Sequence, residues 1–181
     1  MLQIARFVSI AGHPLVLVPF SIALVTGRWT WALFIAATTM IPLAAFVLFQ
    51  MRRGSWTDFD VSRPEQRRGL YRAALPLLAI AGLVLFFTGA APPLLQGVAT
   101  AAGMLLIGVL LSRWLKVSLH LMFATFCAVT VCDQFPVAIV PAAAVLLVLA
   151  WSRLKLERHT MPEVLVGFAI GLAGGLVALF L

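Results

Sequence analysis

The chain is poor in charge. Only 10% of its 181 residues are charged and six are acidic, whereas a soluble domain carries roughly a quarter charged residues. That scarcity excludes an ordinary water-facing globular surface. There are only two cysteines, Cys127 and Cys132. They stand five apart in one apolar segment, on diverging faces of a helix, so a disulfide between them is excluded and no further thiol completes a metal site. They read as packing residues. Low-complexity stretches and internal repeats are missing too. The first apolar run is longer than a signal-peptide core and no small-residue cleavage site follows it, so it reads as a retained span.

What is present is apolar sequence, 63% of the residues. At about 20 residues per span, the length allows about seven spans and leaves nothing for a soluble domain. Apolar segments fall near 7–25, 30–50, 71–90, 93–113, 117–132, 137–151 and 162–181, bounded by Arg, Pro, Gly or charged clusters. The expected fold is an all-α polytopic helical transmembrane bundle of about six to seven spans, forming one integral membrane domain over residues 1–181. The fifth and sixth segments are short. Asp133, Gln134 and Pro136 between them predict a tight turn, because Asp and Gln are costly at mid-bilayer.

The formal net charge of +7 would point to nucleic acid in a soluble protein; in a membrane it asks which side holds the charge. Seven alternating spans put Arg6, Arg52, Arg53, Arg63, Arg67, Arg68, Arg72, Arg113, Lys116, Arg153, Lys155 and Arg158 on one face and leave Arg28 on the other. That face is expected to be cytoplasmic, the membrane a bacterial inner membrane, and nucleic acid no partner. Basic residues serving an anionic substrate would give the same asymmetry.

Three polar clusters share the charged face: 57–68, 116–120 and 152–163. In the last, His159 and Glu163 stand at i, i+4, so that a carboxylate can fix the imidazole's tautomer and raise its basicity. Such a histidine is a poised nucleophile or base. Arg153 supplies a planar fork suited to phosphate oxygens, and Arg63 with Arg67, also four apart, can supply another. Arginines facing His120 and His159 describe a pocket for a phosphoryl group. Asp58 and Asp60 read as loop partners or caps, not metal ligands, and neither metal nor cofactor is expected. His13, before Pro14, reads as a neutral histidine hydrogen-bonded to a neighbouring helix. Gly167, Gly171 and Gly175 repeat every four residues and predict close helix packing behind His159.

These residues resemble the type 2 phosphatidic acid phosphatase superfamily, whose motifs read Lys-x6-Arg-Pro, Pro-Ser-Gly-His and Ser-Arg-x5-His-x3-Asp. The third corresponds to Ser152-Arg153-x5-His159-x3-Glu163, with Glu for Asp. The second corresponds at Ser118 and His120, with Val117 and Leu119 in place of Pro and Gly. The first keeps Arg63-Pro64, but Trp56 stands where Lys is expected, and the segment, Asp58-x-Asp60-x-x-Arg63-x-x-x-Arg67, looks more like a variant loop of the superfamily with Asp-x-Asp-x-x-x-Arg-x-x-x-Arg. The resemblance covers roughly residues 50–175 and leaves 7–50 outside the motifs.

The resemblance implies hydrolysis of a phosphomonoester or diphosphate without metal. His159 would attack phosphorus to form a phosphohistidine, His120 would protonate the leaving oxygen, and Glu163 would orient His159. Arg153, Arg63 and Arg67, with Ser118 and Ser152, would bind the phosphate, where charge stabilisation contributes most of the catalysis. With no soluble domain, the substrate class is a lipid phosphate reaching the site sideways between helices: phosphatidate, phosphatidylglycerophosphate, a polyprenyl phosphate or diphosphate, or a phosphorylated glycolipid. Two rival functions stand beside this one. An intramembrane prenyltransferase would need two Asp-rich motifs for Mg²⁺. A non-catalytic lipid-phosphate binding or transport protein could use the same scaffold.

Overall fold

A computed structural model describes residues 1–61 and 63–180; Ser62 of the first polar cluster and Leu181 of the last apolar segment lie outside them. The described residues form helices and no strand. The helices are α1 (Leu2–Ala11), α2 (Pro14–Thr26), α3 (Trp29–Arg52), α4 (Pro64–Phe87) and α5 (Pro92–Leu111), then α6 (Leu119–Gln134), α7 (Ile139–Lys155) and α8 (Met161–Phe180). A 3-10 turn, Pro136–Ala138, leads into α7. Five helices, α3, α4, α5, α7 with its leading turn, and α8, are long and apolar enough to cross a membrane. The protein is an all-α polytopic membrane protein.

Two features bear on the count of spans. The first apolar segment, expected as one span, is two helices bent by 46°. Pro14 has no N–H to continue α1 and pushes His13 into extended backbone, φ −69° and ψ 139°, so the chain turns a corner there and starts a new helix. The second is α6. Its 16 residues reach about 24 Å at 1.5 Å each, short of a hydrocarbon core of about 30 Å. α6 packs against α2, α7 and α8, and its first half, His120–Thr125, is buried. Protein rather than lipid surrounds that half, so α6 tolerates polar residues and a short length.

The chain forms two compact units, residues 1–33 with 117–180, and residues 34–116. In the first unit, Leu121 and Ala124 of early α6 pack with Leu149 of late α7, Val164 of early α8, and Leu146 and Leu154. The start of α6 therefore meets the end of α7, and these two helices run antiparallel through a turn at Phe135, φ −132° and ψ 82°. The turn expected from Asp133, Gln134 and Pro136 is present. α8 lies parallel to α6. A Cβ at Gly167 would strike the Ser118 carbonyl, one at Gly171 the Met122 carbonyl, and one at Gly175 the Val129 side chain. The four-residue glycine stripe thus faces a single helix at backbone contact.

α2 is also parallel to α6, with His13 beside His120 and the Ser21 hydroxyl donating to the Cys127 sulfur at 3.2 Å. α1 packs on α7. The N-terminal ends of α2, α6 and α8 and the C-terminal end of α7 consequently share one end of this unit.

In the second unit, α4 and α5 form an antiparallel hairpin, with Tyr71 of early α4 lying on Gly108 of late α5. The loop before α4 is packed by Trp56, whose ring meets Phe46 edge-on at 5.4 Å and lies where a Cβ at Gly69 would sit.

Candidate active site

The spacing Ser-Arg-x5-His works because the chain reverses between α7 and α8. α7 ends at Lys155, and Glu157 takes the left-handed conformation, φ 55°. The Glu157 N–H donates to the Leu154 carbonyl at 3.0 Å and the Arg158 N–H to the Arg153 carbonyl at 3.1 Å. This pair of bonds is a Schellman closure, which satisfies the carbonyls at a helix end. It hands the chain from Arg153 directly to His159 within one tight turn.

α8 then starts with Thr160 before its first residue and Glu163 at its third, the arrangement of a capping box. Glu163 Oε2 accepts the Thr160 N–H at 3.0 Å. The same oxygen lies 3.0 Å from His159 Nδ1. A carboxylate partner requires the proton on Nδ1, which leaves the lone pair on Nε2. His159 is buried, and its ring is held by this carboxylate.

Arg153 is 1% exposed. A guanidinium out of water is costly unless hydrogen bonds and an opposite charge compensate it. Its Nη1 donates to the Ser9 hydroxyl on α1. Beside it, the buried Ser152 hydroxyl donates to the Ala5 carbonyl at 2.6 Å. Ser152 therefore ties α7 to α1. The small residues Ala5, Ser9 and Gly12 allow this approach: a Cβ at Gly12 would lie 2.6 Å from Leu149 Cδ1. Sequence reasoning missed Ser9, although the small residues three and four apart in α1 signal a packing face.

The second motif opens α6. The Ser118 N–H donates to the Glu163 carbonyl at 3.1 Å, joining the start of α6 to the start of α8. Gly167, one turn into α8, gives the room for this contact. The Ser118 hydroxyl is fully buried and has no hydrogen-bond partner among the described residues, a costly state unless something polar fills the site. His120 follows, buried, with its ring centroid 4.8 Å from that of His13 at an interplanar angle of 89°. His13 Nδ1 accepts the Leu15 N–H at 3.2 Å, capping α2.

The first unit thus holds His159, Glu163, Arg153, Ser152, Ser118 and His120, all at the shared end of its helices. Arg63 and Arg67 belong to the second unit. There Arg67 is buried and Arg63 is exposed. Arg67 Nε donates to the Val61 carbonyl at 3.3 Å, and Val61, a buried β-branched residue, holds φ 49°, a conformation such residues rarely adopt. Asp58 takes the Thr57 hydroxyl at 3.1 Å, a local loop contact. Comparison of the chain with protein-family models, curated proteins and solved structures finds no match.

Proposed function

We propose that the protein hydrolyses a lipid phosphate or diphosphate through a phosphohistidine, in the manner of the type 2 phosphatidic acid phosphatases it resembles. The observation that carries this reading is the pair of buried His159 and half-buried Glu163 at 3.0 Å, with the buried Arg153 one closed turn before it. A lone interfacial histidine needs neither a carboxylate on Nδ1 nor a buried guanidinium beside it.

In the first step His159 Nε2 attacks phosphorus, the N–P bond forms, and the bond to the leaving oxygen breaks as His120 gives that oxygen a proton. In the second, water attacks the phosphohistidine, His120 takes the water's proton, and phosphate and neutral Nε2 are restored. Glu163 stabilises the positive charge on the ring throughout. Arg153 and the Ser118 hydroxyl neutralise charge on the phosphoryl oxygens, the main source of catalysis in phosphoryl transfer. By the positive-inside tendency the site faces the cytoplasm, which suits a biosynthetic step on lipids made at the inner leaflet.

The test is phosphate release by detergent-purified protein from a panel of lipid phosphates and diphosphates, with EDTA present and His159→Ala alongside. Release that survives EDTA and disappears in the variant supports the reading, and the best panel member names the substrate. No release from any lipid, or equal release from both proteins, overturns it in favour of a binding or transport role.

A further inference from the structure

His13 lies outside every motif that carries the resemblance, yet its ring packs edge to face on His120, the residue assigned above to protonate the leaving oxygen. We propose that His13 is a positioning residue for His120, acting on departure of the leaving group. This inference rests on the phosphatase reading and adds the α1–α2 corner to the site.

Three observations carry it. The first is the hydrogen bond that ties the His13 ring. Its Nδ1 accepts the Leu15 N–H at 3.2 Å, so that nitrogen bears a lone pair and, in the neutral ring, Nε2 bears the proton. The cap ties the ring to the first turn of α2.

The second is the contact itself, with centroids 4.8 Å apart at 89°. Edge-to-face packing sets the positive edge of one ring against the negative face of the other and so restricts rotation of both. A general acid gains from being held at one angle, since proton transfer demands a reach of about 3 Å.

The third is how firmly the corner is placed. Pro14 fixes His13 in extended backbone. One turn earlier, Ser9 bonds Arg153, and Gly12 lies on Leu149. The first helix and the corner thus deliver one side chain to the phosphate-binding arginine and another to the acid.

The inference is tested by comparing a dialkylglycerol phosphate, whose alkoxide must be protonated to leave, with p-nitrophenyl phosphate, whose phenolate leaves without a proton. The variants are His13→Asn, which keeps a helix-capping side chain but loses the ring, His120→Asn, and the pair combined; thermal melting checks that each is folded. The expected result is an alkyl-to-aryl ratio of kcat that falls at least tenfold in His13→Asn, with KM for the lipid within about twofold. The same signature is expected, larger, in His120→Asn, and the double variant should be no worse than His120→Asn alone. Equal falls on both substrates, an unchanged ratio, or additive losses in the double variant would overturn the role of His13 while leaving phosphatase activity standing. A wild-type protein that releases no phosphate, or that His159→Ala leaves intact, overturns the phosphatase reading and this inference with it.

Discussion

One oxygen of Glu163, Oε2, accepts the backbone N–H of Thr160 and pairs with Nδ1 of His159, each at 3.0 Å. The carboxylate that starts α8 is the carboxylate that sets the histidine. The two duties can be separated by substitution.

Glu163→Gln keeps an oxygen for the Thr160 N–H but removes the negative charge opposite the imidazole. Melting in detergent should stay within about 1 kcal/mol of the parent, while kcat should drop by about 10²- to 10⁴-fold, the scale on which loss of an orienting carboxylate costs a catalytic histidine. Glu163→Ala should lose comparable activity and about 1 kcal/mol of additional stability. A fully active Glu163→Gln protein would contradict the role given to this pair.

Glu157 is exposed and left-handed at φ 55°, where a side chain is penalised and glycine is not. Glu157→Gly should raise stability by about 0.5–1 kcal/mol, and Glu157→Val should lower it by about 1 kcal/mol. Both shifts are read from thermal melts. Because the closure also sets His159 relative to Arg153, Glu157→Val should lower kcat as well.

Gly171 and Gly103 make a matched pair. A methyl at Gly171 would collide with the Met122 backbone carbonyl and Thr125, whereas one at Gly103 meets nothing within 4 Å. Gly171→Ala should cost about 1–3 kcal/mol as α8 is pushed from α6. Gly103→Ala should be neutral or gain up to about 1 kcal/mol from helix propensity. Equal melting temperatures for the two variants would refute the close packing of α8 on α6.

What could be read from the sequence follows the range of the interactions. The spacing from Ser152 to Glu163 is local: a helix end, a reversal and a capping box are short-range rules, and the His159–Glu163 contact appears where i, i+4 spacing puts it. The glycine stripe of α8 foretold a close approach, though not that α6 would supply the other backbone. The bend at His13 was missed because the apolar run continues unbroken through it, while the missing N–H of Pro14 decides the backbone. Ser9 on Arg153 and His13 on His120 join residues more than a hundred positions apart, and no periodicity reports such pairs.

The site-bearing unit is split in the chain, with residues 34–116 lying between its two parts. During synthesis α1 and α2 therefore emerge long before α6, α7 and α8 exist to receive them. Until then Ser9, His13 and Ser21 have none of their later partners, and the corner at Pro14 must be held by its own cap alone. A ribosome stalled before α6 would leave a membrane-inserted fragment with Ser9 and His13 but without His120, Arg153 and His159. The order of manufacture thus makes docking of the first two helices onto the last three the step that completes this unit.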